Sequence, residues 1–236
     1  STFFDPGFTG AILVLTLILG VVLLLEGISK PRWWLILALG INYLALALTY
    51  SRSSLLMFFV AQTVVALAKR SPKFFLGITL LLAATIFLLP RPAYHTAISL
   101  GRQESTSARL VSWQNAWEIF RERPILGVGF NTYRYAQQKQ GFLKEDWQST
   151  HAGAGSDSSL LLVLVTTGIV GFVIFLGFLG KILITSFPLE NLNLILFSSL
   201  VGLLAHSLFL NSLFYPWIME WFFIILGVSM AWRRLK

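Results

Sequence analysis

Seven stretches of this sequence, residues 8–25, 33–49, 54–68, 74–89, 159–180, 192–210 and 217–232, are almost uninterrupted apolar runs. Together they hold one residue of the Asp, Glu, Lys and Arg set, Glu220. An α-helix needs roughly 20 apolar residues to cross the hydrocarbon of a bilayer, with about 17–25 as the working range. A soluble domain of 236 residues has no interior large enough to hide so many runs, and a composition of 56% hydrophobic and 12% charged residues agrees. The expected fold is an all-α membrane protein with about seven transmembrane helices. The run at 8–25 lacks a basic segment before it and a small-residue cleavage site after it, so it reads as a spanning helix rather than a signal peptide.

A net charge of +8 in a soluble chain would suggest nucleic acid, but here the basic residues sit between apolar runs. No nucleic-acid partner is expected; membrane lipid is. Lys and Arg in short loops accumulate on the cytoplasmic side. Lys30 and Arg32, then Lys69, Arg70 and Lys73, then Lys181, then Arg233, Arg234 and Lys236 fall in alternate connections. That pattern places the remaining connections outside: the N-terminus, the turn at 50–53, the long segment at about 90–157 and the turn at 211–216. The expected organisation is four helices in 1–89, a large, partly helical extracytoplasmic loop in 90–157, and three helices in 158–236. Cysteine is absent, which excludes disulfides, thiolate nucleophiles and zinc–thiolate or iron–sulfur sites.

A loop of that length without structure would be improbable in a compact protein. In 105–123 the residues Arg109, Leu110, Trp113, Trp117 and Phe120 recur at steps of three and four, and Pro124 ends the pattern. This predicts an amphipathic helix that lies on the membrane or packs on the bundle, with Arg109 at the edge of the apolar stripe. Gly127-Val128-Gly129 then implies a tight bend, without the strand and helix that a dinucleotide site needs. No Walker lysine, His-Glu-x-x-His, Gly-x-Ser-x-Gly or Asp-x-Asp motif occurs, which disfavours a metal-dependent nucleotide-sugar mechanism. No metal site or cofactor is expected.

Ionisable groups at or inside spans are costly and stand as functional candidates. Arg52 sits among serines at the outer surface, as a ligand contact or an interfacial anchor. Asp157 opens the fifth span, as a proton acceptor or as a helix N-cap. His206 and Glu220 lie in the outer parts of the last two spans, as site residues or as interhelical hydrogen-bond partners. With Arg109 they all map to the outer half of the membrane or its outer surface. A polar site opening outward follows. Arginine forks beside apolar walls suit a lipid-borne diphosphate, and a carboxylate or histidine could take a proton from an attacking hydroxyl.

The Ser51-Arg52-Ser53 turn, Arg109 with Trp113, the Arg123-Pro124-Ile125-Leu126-Gly127-Val128-Gly129-Phe130 segment, the stretch from Asp157 to Gly171 and His206-Ser207-Leu208-Phe209-Leu210-Asn211 resemble the C-terminal region of the O-antigen ligase and O-antigen polymerase family. The resemblance covers most of the chain from about Thr49 onward. It implies a polytopic GT-C-type glycosyltransferase of the bacterial inner (plasma) membrane, with its active site facing the periplasm or exterior. Such an enzyme needs no metal. It moves a glycan from a polyprenyl diphosphate carrier such as undecaprenyl diphosphate to an acceptor glycan or lipid. By the same resemblance Arg52 and Arg109 hold the diphosphate; His151, His206 and Glu220 stand beside them as further substrate-binding candidates. Family members carry more spans than seven, so a segment before Ser1 is expected. The family pattern has a histidine followed by Asn, Ser or Gln, nine residues and Gly-x-x-Gly. Here Ser158 and Gly168-Ile169-Val170-Gly171 fit, but Asp157 stands where the histidine would be, and His151 lies six residues earlier. Asp157 is thereby the candidate catalytic base.

Two other classes compete. A transporter or flippase-like protein would bind the same anionic lipid without chemistry, but such proteins place ionisable groups at the midplane of broken helices and show internal repeats. No repeat is evident. A structural subunit of an envelope assembly would leave the basic loop residues as mere surface.

Overall fold

The apolar runs do form helices, with boundaries set by local chemistry. The computed structural model describes residues 5–27, 32–89, 95–143 and 155–234. These form an all-helical chain, 81% helix, with no strand among the described residues. In order the helices are α1 (Pro6–Leu25), α2 (Arg32–Leu48), α3 (Arg52–Ala68), α4 (Pro72–Leu88), α5 (His95–Glu122), α6 (Tyr133–Lys139), α7 (Ser159–Thr185), α8 (Asn191–Ser207) and α9 (Pro216–Arg234), with a short 3-10 turn at Ser212–Phe214. Asp5, Ser51 and Ser71 are N-caps that accept from Gly7, Ser54 and Phe74 N–H groups, and Pro6 and Pro72 occupy first-turn positions where no N–H is needed. Two residues past the end of α3, Arg70 has a φ of 49° that lets Ser71 N–H reach back to the Ala66 carbonyl at 3.0 Å.

Two helices, α1 and α7, are long and apolar enough to cross a membrane. Four more, α2, α3, α4 and α8, are apolar and 17 residues long, about 26 Å of helix each. α2 buries only Leu46 and Ala47, and α4 only Ile78 and Leu82. Ile36, Leu44, Phe87 and Leu88 on them are exposed, more apolar surface than a protein tolerates in water.

The chain packs as two compact units, one of residues 1–89, 182–206 and 212–236, the other of 90–181 and 207–211. In the first, α1 and α3 run in the same direction. Ser54 Oγ donates to the Gly7 carbonyl at 3.0 Å near their starts, and Lys69 Nζ pairs with Glu26 at their ends. α2 returns beside α1, with Asn42 Nδ2 donating to Thr16 Oγ1 at 2.6 Å. α8 runs against α3, where Gly202 lies close to Ala61 and Met57. α9 runs against α8, with Ser229 Oγ and Arg233 Nε both donating to Asn193 Oδ1, at 2.8 and 3.1 Å. Polar groups therefore collect at two ends: Glu26, Lys69, Asn193 and Arg233 at one, Ser51, Ser54 and His206 at the other.

The second unit is built on α5 beside α7. Its core is Ala116, Ile119, Phe120, Tyr133 and Val165. The buried face of α5 differs from the predicted stripe: Trp117 is 51% exposed and Leu110 also faces outward, whereas Ile119 is 0% exposed. Ala116 and Ile119 share that core with Val165 of α7, and the Trp117 indole does not. Arg109, half-buried, stays on the inward line with Ser112, Trp113 and Ala116.

Candidate functional site

The two glycine motifs of the sequence meet in one piece of backbone. α7 breaks at Gly168, whose φ of 65° and ψ of −170° lie outside helical geometry. Such a break strands carbonyls before it and N–H groups after it. Val128 and Gly129 N–H donate to the Val165 and Thr166 carbonyls, both at 2.9 Å, and Ile169 and Val170 N–H donate to the Pro124 and Ile125 carbonyls at 2.8 and 3.3 Å. The segment from Pro124 to Gly129 thus supplies the partners that a continuous helix would have supplied. A Cβ on Gly127 would stand 2.5 Å from the Thr166 carbonyl carbon, and one on Gly168 would stand 2.2 Å from the Ile125 carbonyl oxygen. No side chain fits at either position.

At the other end of the α5–α7 pair lies Asp157. Its N–H donates to Ser112 Oγ at 3.3 Å, and Ser112 is one turn beyond Arg109 on the same face of α5. The backbone at Asp157 is therefore held beside the turn of α5 that follows Arg109. Asp157 is not the N-cap of α7. Ser158 takes that place, its Oγ accepting from Leu161 N–H at 3.4 Å. The nine residues of the family spacing are the stretch from this cap to the break at Gly168.

Tyr133, at the start of α6, is buried, with the Asp157 charge and Ser156 as neighbours. Burial first, and then the negative charge of Asp157, hold its phenol protonated well above the usual value of 10.0, while the nearby Ser156 hydroxyl pulls the other way. Sequence reasoning missed Tyr133, Ser112 and Ser156. Ser112 was accessible from its position three residues after Arg109, but Tyr133 belongs to a seven-residue helix too short to show a period.

The chain belongs to the O-antigen ligase family. Residues 35–176, more than half of its length, match the family profile described as O-antigen ligase. The match contains Arg52, Arg109, the Pro124–Gly129 segment, Asp157 and the Gly168 break. A comparison with curated proteins finds no match. Membership makes this an O-antigen ligase- or polymerase-like membrane protein with glycosyltransferase-like activity in polysaccharide biosynthesis, acting on a lipid-linked glycan and an acceptor.

The remaining candidates fall as follows. Arg52 is exposed at the first position of α3, in the first unit. His206 is fully buried in the same unit, its Nε2 3.4 Å from Ser54 Oγ. Glu220 is exposed on α9, also in that unit. His151 lies outside the described residues.

Proposed function

We propose that this protein transfers or polymerises a glycan from a polyprenyl diphosphate carrier onto an acceptor hydroxyl at the outer face of the bacterial inner membrane, without a metal. The observation that supports the reading is the Asp157–Ser112 hydrogen bond, which holds the Asp157 backbone at the turn of α5 that follows Arg109. In the reaction the acceptor oxygen bonds to the anomeric carbon, and its proton passes to Asp157. The bond from that carbon to the diphosphate breaks, and the polyprenyl diphosphate leaves with the electron pair. Arg109, with Arg52 assigned through the family pattern, neutralises the charge gathering on the leaving group, a role suited to bidentate guanidinium. Tyr133 stays protonated, with the Asp157 charge as one cause.

The broken α7 is the feature that favours a transporter. Transporters leave such breaks open to bind substrate or ion. Here the freed backbone groups are taken by the Pro124–Gly129 segment, which supports a scaffold role instead.

Asp157→Asn decides the chemistry. Because Ser158 provides the cap, the variant should fold like wild type while glycan transfer from a polyprenyl diphosphate donor falls by about 100-fold or more, the usual share of a general base. Full activity would sink the assignment. Arg52→Lys and Arg109→Lys keep the charge but lose the fork, and should weaken donor use with protein levels unchanged. Orientation is checked separately in this cysteine-free chain: Tyr50→Cys, at an exposed position in the turn before α3, and Gln138→Cys should react with an impermeant maleimide from outside, and Ser71→Cys should not.

A further inference from the structure

A histidine with 0% exposure is costly to bury and is retained only where its polar atoms have a task. At His206 the task can be read from the hydrogen-bond chain. Ser54 Oγ lies 3.0 Å from the Gly7 carbonyl oxygen, 2.8 Å from Ser51 Oγ and 3.4 Å from His206 Nε2. A hydroxyl has one proton and two lone pairs. The Gly7 carbonyl can only accept, so the Ser54 proton goes there, and Ser54 must accept from both other neighbours. His206 therefore carries a proton on Nε2, and Ser51 donates to Ser54. Ser51 in turn caps α3, accepting Ser54 N–H at 3.3 Å, and Ser53 Oγ, 3.2 Å away, supplies its remaining contact. The first turn of α3 is thus held from α1 by a carbonyl and from the end of α8 by an imidazole N–H. Arg52 is the first residue of that turn, between two clamped serines, with its own side chain exposed. Close approach is required throughout. A Cβ on Gly10 would fall 2.3 Å from Ser54 Oγ.

We infer that His206 is a positioning residue: through Ser54 it fixes the first turn of α3 and so the place from which Arg52 reaches a lipid-borne diphosphate, without touching the substrate itself. The inference rests on the diphosphate reading of Arg52 given above. It differs from a direct substrate role for His206 in what can replace the ring. Glutamine puts an N–H donor where Nε2 stands and cannot act as an acid or base, whereas alanine supplies no donor.

The test uses the purified full chain with undecaprenyl diphosphate as the probe, in binding titrations of wild type, His206→Ala, His206→Gln, Ser54→Ala, Arg52→Ala and the Arg52→Ala/His206→Ala double variant. Amide exchange is read in parallel on the peptide that covers the first turn of α3. His206→Ala and Ser54→Ala should weaken binding about tenfold, the value of one net hydrogen bond, and speed exchange in that turn. His206→Gln should return both toward wild type. In the Arg52→Ala background, loss of His206 should cost less than about twofold more, because both changes act on one interaction. The inference is overturned if exchange in the first turn is unchanged in Ser54→Ala and His206→Ala, if His206→Gln binds as poorly as His206→Ala, or if the Arg52 and His206 effects add. Should His206→Ala not fold, Ser54→Ala, which removes one oxygen from the same bond, decides alone. Wild-type affinity in Arg52→Ala would sink the diphosphate reading of Arg52, and with it this role of His206. Exchange in α3 would still report whether His206 clamps the turn.

Discussion

The two compact units solve the same problem by opposite means. Helix ends and breaks expose backbone groups that must be paired away from water, all the more so in hydrocarbon. In the first unit side chains do this: Asp5, Ser51 and Ser71 cap helices, Ser54 reaches the Gly7 carbonyl, and Asn193 and Arg233 donate to the Pro188 and Phe187 carbonyls. In the second, backbone pairs with backbone. The Pro124–Gly129 segment fills the break at Gly168 with four main-chain hydrogen bonds, and the residues that make this possible are the ones with no side chain. Side-chain solutions can lose one atom and relax. A backbone solution at van der Waals contact cannot.

That contrast makes its sharpest forecast at Gly127 and Gly168. Each has positive φ, and each would drive a Cβ into backbone rather than into a flexible side chain. Gly127→Ala and Gly168→Ala should each cost about 3 kcal/mol or more, from strain combined with loss of main-chain pairing, read as a collapsed melting temperature or loss of monodisperse protein. Gly40→Ala, in α2 with nothing within 4 Å, should be neutral to slightly stabilising. If the two glycine sites tolerate alanine as well as Gly40 does, the lock is not rigid and the comparison fails.

A smaller effect is expected where the second unit does use a side-chain cap. Ser158→Ala removes the acceptor for Leu161 N–H and should cost about 1 kcal/mol, similar to Ser71→Ala at α4 in the first unit. A much larger loss at Ser158 would mean that the cap and the glycine lock fold as one cooperative piece. The smallest effect concerns pH. The Tyr133 phenol keeps its proton in the folded protein above the pH at which it would lose it unfolded. Its contribution is therefore complete below an ordinary phenol value of 10.0 and is lost as pH rises beyond it. Thermal stability of Tyr133→Phe should fall less steeply than wild type above that pH. Parallel curves would mean that neither burial nor the Asp157 charge raises the phenol.

The first unit was largely legible. Pro6, Pro72 and Pro216 at helix starts and Ser51 and Ser71 as caps are local signals, and the observed ends of α1 to α4 lie within two residues of the apolar runs that predicted them. In the second unit the helix over 105–123 was visible, but α5 starts at His95 and turns a different face inward. Periodicity reports which residues are apolar. It does not report which of two apolar faces has a partner: Ala116 and Ile119 share a core with Val165 of α7, and the larger Trp117 stays exposed. Arg109 and Asp157 were each chosen by residue type and family pattern, while Ser112, which brings the Asp157 backbone to α5, and Tyr133 carry no such mark.

What the sequence determined by itself is the solvent and the secondary structure. Long runs without charge can only be helices in lipid, because every backbone group must be paired within its own segment there, and a local rule of that kind needs no knowledge of neighbours. Tertiary structure alone decided that Gly127 and Gly168 are one feature, that the Asp157 backbone meets Ser112, and that His206 faces Ser54. Each of these is a meeting of residues about 40 or more positions apart, and which distant groups meet is fixed by how closely two helices can approach, a property of their shapes together and of neither alone.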